Sequence, residues 1–187
     1  MVYVLAVSVL RQKVATRSAS KRSLRPHPNE VSDLGRKLLT LKRLNAWGAF
    51  LTAHKALETI LGRELESACG LPLTWFDALA QLRMAPGHRL TMTQLATALL
   101  FSKSGLTRLI DRMEEAGLVK RLARPGDRRS LHIALADAGE EKYREALPIH
   151  LDHVKRHFAA YIEDGEVAAV ESALMRMANA VRQESGL

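Results

Sequence analysis

The hydrophobic period of the chain changes at Gly117. Before it, apolar residues recur at helical spacing; after it, Leu118 to Leu122 and then Leu131, Ile133 and Leu135 alternate as in two short strands. Between them Arg124-Pro125-Gly126-Asp127 is a cluster of turn formers, so the segment reads as a hairpin. A lone two-stranded hairpin is marginal in water, and this one must pack on the helices that precede it.

Those helices are short and well signalled. Thr91-Met92-Thr93-Gln94 is a capping box opening a helix to about Leu100, and Ser102 caps another running to Gly117, whose missing Cβ suits a left-handed cap. Upstream, Trp47, Leu51, Leu57, Leu61 and Leu65 mark one long amphipathic helix from Asn45 to Cys69, stopped by Gly70. Thr74 is expected to cap the next, through Ala85, before Pro86-Gly87. Downstream, Asp137 with Glu140 opens a helix with the stripe Tyr143, Leu147, His150, Val154, Phe158 and Tyr161; Pro148 within it predicts a kink or break. A last helix carries Val167, Val170, Leu174, Met177 and Val181, three and four apart as in a coiled coil.

Helix, short helix, turn, helix and two-stranded wing is the order of a winged helix-turn-helix. The expected fold is mainly α with a small β wing, the winged lobe lying between long N- and C-terminal helices. The expected divisions are a basic flexible extension (1–43), an N-terminal helix (44–70), a winged helix-turn-helix lobe (71–136) and C-terminal helices (137–187).

Charge supports this reading. Residues 1–43 hold ten Lys and Arg against two acids, a net +8 that equals the charge of the whole chain. The remainder is neutral but uneven: between Arg89 and Arg129 nine bases face four acids, so a basic module sits between acidic flanks, the electrostatic footprint of a polyanion binder. The basic extension reads as an unstructured extension, as the product of a start codon placed too early, or as a source of extra phosphate contacts. Apolar residues are 47% and charged residues 26%, the composition of a folded globular protein. The apolar first ten residues precede rather than follow the bases and cannot span a bilayer, so neither a secretory signal nor a membrane anchor is expected. One cysteine, Cys69, forms no intramolecular disulfide, which fits a reducing cytoplasm.

In the helix after Ser102, Leu106, Leu109, Ile110 and Met113 form the stripe that must be buried. That leaves Lys103, Ser104, Thr107, Arg108, Asp111 and Arg112 outward. Backbone N–H groups and small hydroxyls at a helix N-terminus meet phosphates and base edges in the major groove. Arg108 is the expected base reader, because a guanidinium matches guanine O6 and N7. Thr107 suits a thymine methyl or a phosphate. Arg124, Arg128 and Arg129 at the hairpin tip would follow the backbone or enter a minor groove, unless Asp127 holds Arg129 as a strut. The expected DNA-binding set is Ser102, Lys103, Ser104, Thr107, Arg108, Arg112, Arg124, Arg128 and Arg129.

The run from Ser104 to Arg121 (SGLTRLIDRMEEAGLVKR) and that from Asp127 to Leu135 (DRRSLHIAL) resemble the recognition helix and wing of the MarR family of bacterial transcriptional regulators. The likeness covers about Asn45 to Arg182 and is specific at the wing, where Asp-x-Arg is followed by alternating apolar residues. Ala136 stands where the family usually has Thr, so Asp137 is expected to cap the next helix.

The resemblance implies a homodimer in which the first and last helices of both chains interlock, with two lobes on successive major grooves of a pseudo-palindromic operator. Helices of about 25 residues span roughly 37 Å, too long to bury against so small a lobe. The expected interface is Leu51, Tyr143, Leu147, Leu174, Met177 and Val181. The resemblance further implies a repressor released by a small aromatic effector held between the dimerisation helices and the lobe. Trp47, His54, Trp75 and His150 are its candidate lining, against the plainer reading of both tryptophans as core anchors with their N–H groups satisfied and of both histidines as ordinary structural residues.

Three rivals use other residues. His150, His153 and His157 share a helical face, and the last two could chelate a metal ion, but a third ligand must come from elsewhere. Cys69 could serve a thiol sensor, at a helix end whose dipole disfavours a thiolate. A winged-helix protein-interaction module would be expected to lack the basic wing. No cofactor or resident metal is expected. Gly-x-Ser-x-Gly, phosphate-loop, Gly-x-Gly-x-x-Gly and His-Glu-x-x-His motifs do not occur, so no enzyme is expected.

Overall fold

The computed structural model of the chain describes residues 40–124 and 127–185, with those at 103, 124, 127–130 and 182–185 described as backbone. Most of the proposed basic extension, and the Pro125-Gly126 turn, lie outside the described residues.

Helix α1 (Leu41–Cys69) begins four residues earlier than the apolar pattern indicates, because the Thr40 hydroxyl accepts from the Arg43 N–H. It ends as expected at Gly70, in the left-handed region at φ 65°, where the Gly70 N–H bonds the Glu66 carbonyl. Its two halves differ. Leu61, Leu65 and Cys69 are buried, whereas Leu41, Leu44, Trp47 and Leu51 are exposed.

Helix α2 (Leu73–Met84) buries Leu73, Phe76, Ala78, Leu79, Ala80 and Leu82. Thr74 is not its cap: Pro72 holds that position and makes no side-chain bond, so Thr74 lies inside the first turn. Proline's fixed φ prepares the helix entry without a hydroxyl.

A 3-10 turn (Pro86–His88) with left-handed Gly87 and His88 leads into strand β1 (Arg89–Thr91). Three residues are too few to display a period of two, so this strand has no sequence signature. Helix α3 (Met92–Leu99) has the expected capping box, Thr91 and Gln94 bonding each other's backbone N–H groups.

Helix α4 (Lys103–Glu115) follows a turn in which Leu100 adopts φ 57°. It ends in a Schellman arrangement: the Leu118 N–H bonds the Met113 carbonyl, and that of Gly117, at φ 73°, bonds the Glu114 carbonyl.

Strands β2 (Val119–Arg124) and β3 (Asp127–Leu135) form the expected hairpin, Arg121 opposite Ile133, with a register shift between Ala123 and Arg124. β1 pairs on the other edge of β3, so the sheet order is β1-β3-β2, all antiparallel. This third strand ties the wing to the helices before α3.

Helix α5 (Asp137–His157) starts at Ala136, whose backbone takes the cap position without any side-chain bond. Asp137 is therefore not the cap; it is the first helical residue and with Glu140 places negative charge in the first turn, where the dipole favours it. Gly139, in the first turn of α5, leaves no room for a side chain. A Cβ there would stand 2.0 Å from the Leu118 carbonyl oxygen, the same oxygen that accepts from the Ala136 N–H.

Pro148 does not break α5. Tyr143, Ala146, His150 and His153 are buried on both sides of it, and this packing outweighs the loss of one backbone bond, a cost of about 3 kcal/mol. A 3-10 turn (Ala159–Tyr161) precedes helix α6 (Val167–Ser185), on which Val167, Met177 and Val181 are exposed.

One core joins the C-terminal half of α1 to α2, α3, α4, the sheet and α5, with Phe76, Leu65, Leu79, Leu95, Ile110, Met113 and Ile133 at its centre. Among the described residues no helix is long and apolar enough to cross a membrane.

Candidate nucleic-acid interface

The sequence of α4 divides as its period requires. Leu106, Leu109, Ile110 and Met113 are buried, and Ser104, Thr107, Arg108, Asp111 and Arg112 are exposed. At the N-terminus the Ser102 hydroxyl accepts from the Gly105 N–H at 3.2 Å and lies 3.4 Å from the Ser104 hydroxyl. The outward set thus begins with hydroxyls beside the unpaired N–H groups of a helix start, an arrangement that favours anions. Thr93 at the start of α3 and Thr107 on α4 line one shallow cleft with Met92 and Leu106.

The backbone places Lys103 at the first position of α4, Arg124 at the end of β2, and Arg128 and Arg129 near the start of β3. The side chains of Lys103, Arg124, Arg128 and Arg129, and the Asp127 strut, lie outside the described residues.

Among the described residues of α4 and the wing, two basic side chains are engaged within the lobe. Arg121 on β2 donates through its backbone N–H to Glu114 at 2.9 Å, and through its guanidinium to Glu114 and to Asp111. Its single positive charge is shared by two of the three carboxylates of α4 and joins the recognition helix to the wing. Sequence reasoning had counted Arg121 only as part of a basic module. The one available signal is a Glu three residues before, and an Arg four residues after, the turn at Gly117.

The second is Arg112, whose guanidinium carbon lies over the Trp75 ring, 5.6 Å from its centroid. Trp75 on α2 is half-buried beneath it.

The other aromatic candidates lie elsewhere. Trp47, 55% exposed, is not a core anchor; it belongs to a ladder on α1 in which Trp47 and Phe50 are 5.9 Å apart and Phe50 and His54 6.0 Å. His150 is buried, 4.5 Å from the Phe76 ring, and this burial pushes its pKa down to about 4. Tyr143, expected at the dimer interface, is instead buried in its own chain, stacked on Phe76 at 5.6 Å. Leu147 packs half-buried beside that core, whereas Leu51, Met177 and Val181 are exposed and Leu174 is half-buried.

With this geometry in view, the likeness to known proteins is extensive. The MarR family model matches residues 70–130, from the end of α1 to the start of β3. The solved structure of AbsC, a MarR family transcriptional regulator from Streptomyces coelicolor, superposes with a TM-score of 0.73 at 34% identity, covering 78% of this chain and 97% of AbsC. The chain belongs to the MarR family of transcriptional regulators.

Among other MarR proteins, Sco3205 from the same organism, solved in complex with DNA, superposes with a TM-score of 0.72 at 28% identity, covering 76% of this chain and 89% of that one. The transcriptional repressor MprA of Escherichia coli is 37% identical over 81 residues, 43% of this chain. That alignment spans about half of the relative, 46% of MprA.

Two of the candidate metal-ligating histidines of this MarR protein, His153 and His157, meet α1. Glu64 on α1 accepts from His157 Nε2 at 3.0 Å and lies 3.6 Å from His153 Nε2 and 3.4 Å from Arg156. Partial desolvation pushes the Glu64 carboxyl up, but the His157 hydrogen bond and the charges of His157, Arg156 and His153 hold it below its ordinary range. Among the described residues no group of three or more His, Cys, Asp or Glu side chains is placed to hold a metal ion. Cys69 is buried with its thiol donating to the Leu65 carbonyl.

Proposed function

We propose that the protein is a sequence-specific DNA-binding regulator that acts as a homodimer on a pseudo-palindromic operator. The observation that carries this reading is α4: a buried Leu106-Leu109-Ile110-Met113 stripe beneath an exposed face beginning Ser104, Thr107, Arg108. Hydroxyls and a helix N-terminus fix the protein on phosphates, and Arg108 reads a base edge. Ser102, Lys103 and Arg112 on or beside α4, with Arg124, Arg128 and Arg129 on the wing, supply further phosphate contacts. Support comes from Sco3205, which was solved with DNA.

Dimerisation is supported by the apolar side chains that one chain leaves in water. Leu41, Leu44 and Leu51 on α1, with Val167, Met177 and Val181 on α6, are all exposed. Burying each is worth about 1.5–3 kcal/mol, so a second copy covering both stripes gains far more than a rim of charges could. Two-fold symmetry then sets the half-sites about one helical turn apart.

We infer further that the protein represses, as MprA's name describes for that relative, and that a small aromatic ligand releases it. Trp47 and His54 offer accessible rings on α1; His150, 2% exposed, can take part only if α5 moves.

The test is a fluorescence-anisotropy titration against the intergenic DNA upstream of the protein's own gene, at two salt concentrations with random competitor. Tight, competitor-resistant binding with a log–log salt slope near −0.9 per phosphate contact is expected. Binding that random DNA abolishes would overturn specific recognition of that site.

A further inference from the structure

We propose that Trp75 is a positioning residue for DNA binding: its indole holds the Arg112 guanidinium in place for a phosphate contact at the far end of the recognition helix. The proposal rests on the reading of α4 as the element that enters DNA, and its observation is the guanidinium lying over the Trp75 ring, 5.6 Å from the centroid.

Arg112 stands one turn beyond Arg108 on the exposed face of α4, so both belong to the surface offered to DNA. The N-terminal part of such a helix meets bases, and the end leaving the groove meets the backbone. Two of the three carboxylates on α4, Asp111 and Glu114, are bound to Arg121 rather than to Arg112. The ring that Arg112 meets consumes none of its five N–H donors, which stay available for phosphate oxygens.

The platform is also fixed. Trp75 is in the first turn of α2, next to Phe76 at the centre of the core, and its half-buried ring packs against that core. A free arginine loses rotamer freedom when it grips a phosphate; one already seated on a ring loses less. Trp75 thereby acts on DNA affinity without touching DNA.

The experiment is a double-mutant cycle read by anisotropy over a salt series, with wild type, Trp75→Leu, Arg112→Ala and the double variant. The probe is the upstream intergenic duplex, or random duplex at low salt, since a phosphate contact needs no sequence. Trp75→Leu is expected to weaken binding about two- to five-fold with the salt slope unchanged, because no phosphate contact is lost. Arg112→Ala is expected to make the slope shallower by about 0.9, and Trp75→Leu should then add nothing. Additive effects, an unaltered slope in Arg112→Ala or an unaltered affinity in Trp75→Leu would overturn the proposal. If Trp75→Leu fails to melt cooperatively, Trp75→Phe, with its weaker ring, completes the same cycle. Wild-type protein that shows no salt-dependent DNA binding would overturn the function itself; wild type that binds while the cycle is additive overturns only the role of Trp75.

Discussion

Arg121, on the first strand of the wing, is bound to Glu114, in the last turn of the recognition helix, through both its backbone N–H and its guanidinium. The pair bridges the turn at Gly117 and fixes the angle between wing and helix. Glu114→Ala removes both acceptors and should cost about 1–3 kcal/mol in urea denaturation, whereas Glu114→Gln keeps an acceptor for the backbone N–H and should cost less. Equal losses in the two variants would assign the effect to the charge alone.

Gly139 admits no side chain. A Cβ would stand 2.0 Å from the Leu118 carbonyl oxygen, and a backbone atom cannot swing aside as a side-chain tip can. Gly139→Ala should therefore destabilise by about 3 kcal/mol, the upper range for overpacking, with a matching drop in Tm. A Tm within a degree or two of wild type would mean that the α5 entry shifts freely.

Arg108 is exposed at the centre of the α4 face. Arg108→Ala should cost about 1–3 kcal/mol of operator affinity and relax sequence preference. Anisotropy on operator and scrambled duplexes reads both; an equal loss on each would make Arg108 a phosphate contact.

Leu174, half-buried on α6, stands between the exposed Val167 and the exposed Met177 and Val181. Leu174→Asp places a carboxylate in the proposed dimer interface, where desolvation of an unpaired charge is prohibitive. Sedimentation at micromolar concentration should give the protomer mass, and retention of the dimer mass would move the interface elsewhere.

Burial moves Asp77, enclosed on α2, and His150 on α5 in opposite directions. Asp77 is pushed from 3.8 up to about 7, so the folded state holds the extra proton and stability falls as pH rises through that range. His150 is pushed from 6.5 down to about 4, so the unfolded chain holds the extra proton and stability rises with pH across that range. Each contribution is of the order of a few kcal/mol, and together they should leave wild-type stability shallow between these limits. Asp77→Asn removes the falling component and should leave stability climbing from about pH 4 to 6.5. Urea midpoints at fixed protein concentration, parallel for variant and wild type, would show Asp77 ionised in the fold at neutral pH.

Much of the fold was legible because its signals are local. The Thr91-Gln94 capping box, the Ser102 cap, the left-handed Gly70 and Gly117 and the change of period after Gly117 each depend on a few neighbouring residues, and each recurs in the structure. The outward face of α4 followed from the same periodicity. Backbone hydrogen-bonding needs and side-chain spacing act within a turn or two, so the amino-acid order determines them unaided.

What the tertiary structure decided are relations between residues distant in the chain. Strand β1 exists because β3 is there to pair with it, and α5 runs through Pro148 because buried residues flank that proline. Tyr143 and His150 share one face of α5 with residues expected to meet a partner chain, yet both are packed against Phe76 from α2. Arg121 reads as one more charge in a basic run and Arg112 as an outward DNA contact, and only packing shows the first bound to Glu114 and Asp111 and the second over Trp75. A side chain's charge and period are properties of the sequence, but its partner is whatever the packed helices and sheet bring within a few ångströms.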